Sequence, residues 1–492
     1  MLTLTVFSVA TRCLGFIYKI YLTKIMTTTE LGIYNVTLSI FMVLLTIVGS
    51  SIPLTISKIT AKNRSQGQLY NTNYSVTSAL IYNTFLAIFI SIIAIISKPI
   101  LILLIGDNLE FSIILTLIPS IAFTAIYSQL RGYLWGLENY FAVSIVEFVE
   151  QIIKIALCIA FVASNLFSNP IIAVANAMNV SCGLSTCLGI YLYLKNSGRF
   201  KYKKGYFKEI IKSSAPLTFV RVLGSLLQPI VSIIIPFRLV SITFTRSEIL
   251  AELGIIMGMS MPLLSIPSTI IGALCMVLIP KISGDNKEKL NEQINYYILF
   301  TICCIFIFIP IFVVLGEPIC TLVFSNAQAG RYLSTMSWVM LPIGISQITT
   351  SILNALSEEN KTFIYFIISN AIMLIFTLIF TPLIGTSILV IGIGLSATIT
   401  TILNLCKIRK ILGIKTNILV LILEHILISL PIILLTTYTY NIFSKSLGQF
   451  MSISLTAIVS VISFIALLFT FNILNFSSIK KYLIKNKKQC FK

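Results

Sequence analysis

Long apolar stretches separated by short polar loops fill almost the whole chain of 492 residues. A transmembrane helix needs about 20 mostly apolar residues to cross roughly 30 Å of hydrocarbon. Fourteen stretches reach that length, and they begin near Leu2, Leu31, Ser78, Ser112, Phe141, Pro170, Ser213, Ile249, Ile294, Ser334, Phe363, Ser387, Asn417 and Met451. The pattern predicts an all-α polytopic membrane protein with fourteen transmembrane helices and no sizeable soluble domain.

The order of motifs in the first half of the chain recurs in the second half. The motif R-x-L-G occupies residues 12–15 and returns at 221–224, and E-L-G-I occupies 30–33 and returns at 252–255. Three further matches follow in the same order at a nearly constant offset, which indicates an internal repeat. Each repeat holds six predicted helices, an even number, so the two repeats should have the same orientation in the membrane.

The repeat divides the chain into five predicted parts. Residues 1–194 form an N-terminal six-helix lobe and residues 213–412 form a C-terminal one, joined by a basic cytoplasmic linker at 195–212. Helices 13 and 14 occupy 413–476, and a basic cytoplasmic tail occupies 477–492. Parallel repeats suit a transporter whose two lobes rock around a substrate path between them.

Composition and charge agree with a multi-pass membrane protein. The chain is 57% hydrophobic with a mean hydropathy of +0.99 and a net charge of +19. Most of its 35 Lys and Arg residues fall in loops on one side of the predicted membrane, so the positive-inside rule places both termini in the cytoplasm. Anionic lipid accounts for the basic tail next to a membrane helix, and no nucleic acid is expected as a partner.

Two arginines lie inside predicted membrane helices at equivalent positions of the repeat. A charge there is costly unless it faces a cavity or a partner. Arg12, Gly15 and Lys19 share one helical face. Arg221, Gly224 and Gln228 likewise share one face of their helix. We expect Arg12 and Arg221 to line a cationic path that suits a phosphate or pyrophosphate. A structural hydrogen-bonding role for the arginines, and snorkelling of Lys19 to the interface, are the alternatives.

The fifth predicted helix carries three charges on one face. Glu147, Glu150 and Lys154 follow the spacing i, i+3 and i+7, and Glu150 and Lys154 form an i, i+4 pair in the favourable order. This spacing predicts a Glu150–Lys154 salt bridge. It leaves Glu147 for coupling to a monovalent cation or proton, unless Arg131 near the end of the fourth helix is its counter-charge.

Glycines and prolines mark possible bends in moving helices. The candidates for a hinge are Gly15, Gly224, Pro229, Pro262 and Pro267. Such residues kink helices, although proline kinks are also common in static membrane helices.

The residue inventory argues against an enzyme and against a bound metal or cofactor. The two aspartates, Asp107 and Asp285, fall in loops, no P-loop or H-E-x-x-H occurs, and the ten cysteines form no C-x-x-C. A zinc set is not available around the single histidine. For Glu424 and His425 we expect a local structural or lipid-associated role.

Taken together, the motifs resemble the stage V sporulation protein B family of the multidrug/oligosaccharidyl-lipid/polysaccharide exporter superfamily. The resemblance covers essentially the whole chain, and it is carried by residues 12–19, 30–34, 131–137, 150–152, 221–226, 261–264 and 280–283. It implies a bacterial plasma-membrane protein with two six-helix lobes, two extra helices and a cationic central cavity.

The implied function is movement of an undecaprenyl-pyrophosphate-linked saccharide outward across the membrane for spore cortex peptidoglycan synthesis. Related lipid II flippases share the R-x-L-G-F motif and carry a basic residue six positions after its arginine. Here that position is Tyr18, and Lys19 follows it. Those flippases also carry an arginine five residues before a proline of the eighth helix, where this chain has Pro262 before Pro267.

The sequence leaves three hypotheses for the function. The first is a flippase in which Arg12, Arg221, Lys19 and Arg131 bind the pyrophosphate of the lipid-linked substrate. The second is a cation-coupled multidrug exporter of the same fold, which should have more acidic residues in its spans. The third is a non-transporting scaffold for cell-wall synthesis enzymes, which would not need Arg12 and Arg221 at equivalent positions.

Overall fold

The computed structural model confirms the all-α fold. It describes residues 2–49, 51–99, 102, 108–167, 169–203, 205–240, 245–282, 287–413 and 418–471, and within them it contains helices, turns and no strand. The predicted basic tail at 477–492 lies outside the described residues.

Eight helices of the described chain precede residue 245. They are α1 (Leu2–Ile25), α2 (Thr28–Gly49), α3 (Ile52–Ser65), α4 (Leu69–Ile96), α5 (Asn108–Gly136), α6 (Tyr140–Ala163), α7 (Pro170–Lys195) and α8 (Tyr206–Val240).

Ten α-helices follow. They are α9 (Arg246–Ile255), α10 (Met261–Leu264), α11 (Ile266–Ile282), α12 (Lys287–Phe324), α13 (Ala327–Met336), α14 (Met340–Ala355), α15 (Glu359–Ile384), α16 (Ile388–Leu412), α17 (Ile418–Ser446) and α18 (Gln449–Thr470). A π-helical turn, Ile256–Ser260, joins α9 to α10.

The described helices supply fourteen candidates for membrane-crossing segments, the number that the sequence predicts. By length and hydropathy, eleven helical segments of the described chain could cross a membrane, and one of them, Glu359–Leu412, contains both α15 and α16. The other two segments are α1 and α6, whose apolar stretches carry the intramembrane charges. Short helices such as α3 and α13 continue a neighbouring segment.

The same backbone geometry closes α5 and α14, at positions that the predicted repeat makes equivalent. Glu138 and Ser357, 219 positions apart, have φ values of 62° and 61°. The residues that follow them donate backbone hydrogen bonds to Leu134 and Leu353, again 219 positions apart, at 2.9 and 3.0 Å. Both turns therefore end a helix with the left-handed residue that such C-terminal caps require.

Two of the predicted bend points coincide with breaks in a helix. Pro262 lies in the first turn of α10, after the π-helical turn, and Pro267 is the second residue of α11, just after the break at Ser265. Proline is tolerated at these positions because its missing N–H needs no partner in a first helical turn. Pro229, in contrast, lies inside α8, which continues on both sides of it.

The chain forms two compact units, Met1–Gly258 and Met259–Lys492. In the first, α5 packs on α2, α3, α4 and α7, while α6 packs on α1 and α7. In the second, α14 packs on α11, α12 and α16, and α12 also contacts α17 and α18. Helices α8 and α9, which begin the predicted second repeat, pack on α2 inside the first unit.

Candidate functional site

Aromatic side chains pack α1 against α6, and this contact covers one face of α1. The Phe7 ring makes edge-on contacts with Phe141 and Phe148 at 5.7 and 5.5 Å between centroids. Gly15 lies on the same side, where an added Cβ would be 3.8 Å from Gln151 Nε2. Gly15 is therefore part of the α1–α6 contact.

The predicted cations of α1 lie away from that contact, so the structure separates Gly15 from the face that the sequence predicts it to share with them. Arg12, near the middle of the helix, and Lys19, two turns later, both have exposed side chains. In the described part of the chain no carboxylate comes within 4.0 Å of either. A positive charge that is not neutralised therefore runs along one face of α1.

The matching arginine of the repeat is exposed as well. Arg221 lies near the middle of α8, a 35-residue helix that packs on α2, α3 and α4. Gly224 next to it is half-buried, and Pro229 is buried. The two R-x-L-G motifs thus present their arginines in the same way, on helices with different neighbours.

Arg131 is balanced by Glu147, which is one of the two alternatives that the sequence leaves open for this acid. Its guanidinium lies 3.2 Å from Glu147 Oε1 and 4.7 Å from the centre of the Trp135 ring. The side chains of Arg131 and Glu147 are 27% and 41% exposed. Because Glu147 neutralises it, Arg131 adds less positive field than Arg12.

Glu150 and Lys154, which the sequence predicts to form a salt bridge, contact different residues. Glu150 Oε1 accepts a hydrogen bond from the Cys182 thiol at 3.8 Å, and Lys154 Nζ lies 5.3 Å from the centre of the Tyr18 ring. The two residues interact electrostatically, but they form no ion pair within 4.0 Å in the part of the chain described. The Tyr18 face of α1 competes for the ammonium group through a cation–π contact.

The two E-L-G-I motifs meet at their glycines, a contact that the sequence analysis missed. An added Cβ on Gly32 would overlap the Leu250 carbonyl, lying 2.6 Å from its carbon, and one on Gly254 would lie 2.6 Å from Gly32 N. The Leu31 side chain also fills the space beside Gly258. Helices α2 and α9, one from each repeat, therefore cross in backbone contact. The repeated motif is the signal that could have suggested this contact.

A buried ion pair lies at the start of α9. Arg246 Nη2 is 3.4 Å from Glu110 Oε2 on α5, and the Glu110 side chain is 0% exposed. Reciprocal Thr–Glu hydrogen bonds, from Thr245 and Glu248, fix the first turn of α9. The end of the α2–α9 crossing is thus held by charge as well as by close packing.

His425 makes structural contacts. Its Nδ1 donates to the Leu421 carbonyl at 2.7 Å, so Nε2 is the acceptor for the Cys303 thiol at 3.3 Å. The histidine is fully buried beside Phe306 and Phe464. It links α17 to α12, which agrees with the structural role expected from the sequence.

Comparison with known proteins places the chain in a family. A model of polysaccharide biosynthesis proteins matches residues 1–285, more than half of the 492 residues. The chain belongs to the polysaccharide biosynthesis protein family. Within its sequence relatives, stage V sporulation protein B of Bacillus subtilis (strain 168) is 22% identical over 427 residues, covering 83% of this chain and 82% of that protein. The resemblance inferred from the motifs is confirmed.

Solved structures show the same transporter fold. The lipid II flippase MurJ, in an inward closed conformation, matches with a TM-score of 0.77 and 14% identity over 96% of this chain and 100% of that one. An inward-facing multidrug resistance transporter of the MATE family, in the MOP superfamily, matches with a TM-score of 0.65 and 15% identity over 82% and 94%. The chain is a multi-pass membrane protein with the fold of these transporters, and neither of them is an enzyme.

Proposed function

We propose that this protein is a flippase that moves an undecaprenyl-pyrophosphate-linked saccharide from the inner to the outer leaflet by alternating access. The saccharide is a peptidoglycan precursor, and the process served is spore cortex synthesis. The polysaccharide biosynthesis family, the sporulation protein among its relatives and the fold shared with a lipid II flippase support this assignment.

The observation that carries the proposal is the pair of exposed arginines near the middle of α1 and α8. An arginine at the centre of a membrane helix costs about 3 kcal/mol or more when it faces lipid. In the proposed mechanism Arg12 and Arg221 therefore face a water-filled path. A guanidinium donates two parallel hydrogen bonds to phosphate oxygens, which makes it a better partner for a pyrophosphate than for a neutral drug.

The α2–α9 crossing provides a place where this path closes. The positive-inside prediction puts the start of α2 on the outer side, so the Gly32–Gly254 contact closes the outer end. Separation of α2 from α9 would release the headgroup outward. An inside-negative membrane potential favours that step by about 2.3 kcal/mol per negative charge per 100 mV.

Substitution of the two arginines tests the proposal. Arg12→Ala and Arg221→Ala should each abolish translocation of a polyprenyl-pyrophosphate saccharide in proteoliposomes, and the Lys variants should restore part of it because they keep the charge. Arg331→Ala is the control, since Arg331 lies in the middle of α13, is 74% exposed and pairs with Glu317 at 3.8 Å. Unchanged translocation in all four variants would assign these arginines a structural role.

The acidic residues of α6 favour a second candidate, a cation-coupled exporter. Glu147 and Glu150 are half-buried in a transporter whose fold matches a multidrug transporter. Such an exporter would need a proton or sodium gradient and would lose transport in Glu147→Gln. Transport of cationic drugs with that dependence, and none of a pyrophosphate lipid, would replace the flippase proposal.

A further inference from the structure

The segment that joins the two predicted lobes is docked on the first one. Gly198 packs so tightly on Tyr193 that an added Cβ would lie 2.5 Å from the ring. Beyond it, Arg199 N donates to Asn73 Oδ1 at 3.1 Å and Lys201 N donates to Thr77 Oγ1 at 3.0 Å. The fully buried Tyr193 hydroxyl lies 3.0 Å from the Asn73 oxygen and 3.0 Å from the Arg199 carbonyl. Residues 198–201 are therefore held in place by α4 and α7.

The register of these hydrogen bonds sets the direction of the segment. Asn73 and Thr77 are one turn apart on α4, about 6 Å along its axis. Arg199 and Lys201 are two residues apart, about 6.6 Å in an extended chain. These two distances match, so the segment runs parallel to α4 in extended form. Its alternate side chains therefore lie on opposite sides.

This alternation separates cations from aromatic rings. Arg199, Lys201 and Lys203 take every second position, Phe200 and Tyr202 lie between them, and all five side chains are exposed. No carboxylate lies within 4.0 Å of the three cations in the described chain. Three neighbouring positive charges with no carboxylate within that distance attract an external anion.

The segment lies at the level where the membrane ends. The candidate spans of α4 and α8 begin at Tyr70 and Tyr206, and that of α7 ends at Lys195. Tyr74 packs against Tyr206 at 5.8 Å, and Lys203 Nζ lies 5.8 Å from the Tyr74 ring. Aromatic rings and basic side chains together are typical of the headgroup region.

We propose that Arg199, Lys201 and Lys203, held by Asn73 and Thr77, form a binding site for the headgroup phosphate of an anionic phospholipid in the cytoplasmic leaflet. The Phe200 ring packs on Tyr193 at 5.1 Å between centroids and supports the segment. The exposed Tyr202 ring inserts beside the headgroup, where amphipathic rings are stable. The lipid fixes the joint between the lobes to the membrane surface.

Removal of the charges is the first test. Native mass spectrometry of the purified full chain would measure retention of phosphatidylglycerol against phosphatidylcholine. Each Gln substitution at Arg199, Lys201 and Lys203 should weaken phosphatidylglycerol retention about fivefold, and the triple variant roughly a hundredfold. The matched control Lys58→Gln/Lys62→Gln/Lys361→Gln removes three exposed lysines from the same predicted side and should change retention little. An equal loss in both triple variants would contradict a specific site.

Removal of the docking contacts is the sharper test because it leaves every charge in place. Asn73→Ala/Thr77→Val should lower phosphatidylglycerol retention at least tenfold, while circular dichroism and the unfolding temperature report whether the helices stay intact. Unchanged retention in a folded variant would show diffuse attraction and overturn the proposal. Displacement of phosphatidylglycerol by undecaprenyl pyrophosphate at equal concentration would also overturn it, because the segment would then load the substrate.

Discussion

The crossing of α2 and α9 makes Gly32→Ala a discriminating substitution. A methyl group on Gly32 would lie 2.6 Å from the Leu250 carbonyl carbon, whereas carbon atoms in contact prefer about 3.5–4.0 Å. The helices must therefore separate by about 1 Å. Overpacking of this kind costs about 1–3 kcal/mol, and the better helix propensity of Ala does not offset it because residue 32 is helical in both the closed and the open crossing. The closed crossing should lose about 1–3 kcal/mol, which is roughly a fivefold to 150-fold shift in equilibrium.

Accessibility of a cysteine under the crossing measures that shift. Leu31 is 2% exposed and lies against Gly258. In a Leu31→Cys background, Gly32→Ala should raise alkylation of this cysteine by a soluble maleimide at least about fivefold and up to roughly 150-fold, read by peptide-level mass spectrometry so that the native cysteines stay in place.

Gly15→Ala is the matched control for this experiment. Both glycines lie in membrane helices, but a Cβ on Gly15 meets its nearest neighbour at an ordinary 3.8 Å. Alkylation and unfolding temperature should therefore stay at the level of the parent protein. Equal alkylation in Gly32→Ala and Gly15→Ala would refute the backbone contact between α2 and α9.

Two further pairs of variants test buried polar contacts by thermal unfolding. Arg246→Gln should destabilise the protein more than Glu110→Gln, because it leaves a fully buried carboxylate without its cation, whereas Arg246 is 33% exposed and reaches water; the reverse order would contradict this. Cys303→Ser should keep the hydrogen bond to His425 Nε2, while Cys303→Val should cost about 1–3 kcal/mol because it leaves that nitrogen without a donor. Equal stability of the two Cys303 variants would refute the contact.

The number of membrane segments could be predicted because it depends on local composition. In lipid, each apolar stretch must satisfy its backbone N–H and C=O groups with hydrogen bonds inside its own helix. The number of spans therefore follows from the hydropathy of the sequence. The Arg131–Glu147 pair was also accessible, since the short turn after α5 brings the start of α6 beside its end. In contrast, Lys154 lies over Tyr18, a partner more than 130 positions away that helical spacing within α6 does not reveal.

The contacts that position the candidate site could not be predicted because they join residues that are far apart in the sequence. The E-L-G-I motifs were visible as a repeat, yet their meeting at Gly32 and Gly254 depends on how α9 packs on α2. The segment after α7 reads as a polar linker because its bonding partners, Asn73 and Thr77, lie over 120 positions earlier on α4. Side chains that satisfy backbone groups at such separations leave no periodic signal in the sequence.

Translocation by the unmodified protein tests the central claim most directly. Proteoliposomes would carry a fluorescent undecaprenyl-pyrophosphate saccharide in the leaflet that corresponds to the cytoplasm, and a membrane-impermeant quencher or hydrolase would detect its arrival on the other side. We predict protein-dependent translocation that increases when the cytoplasmic side is made negative. Headgroups that stay in their original leaflet at every imposed potential, with protein that is folded and correctly oriented, would contradict the flippase account.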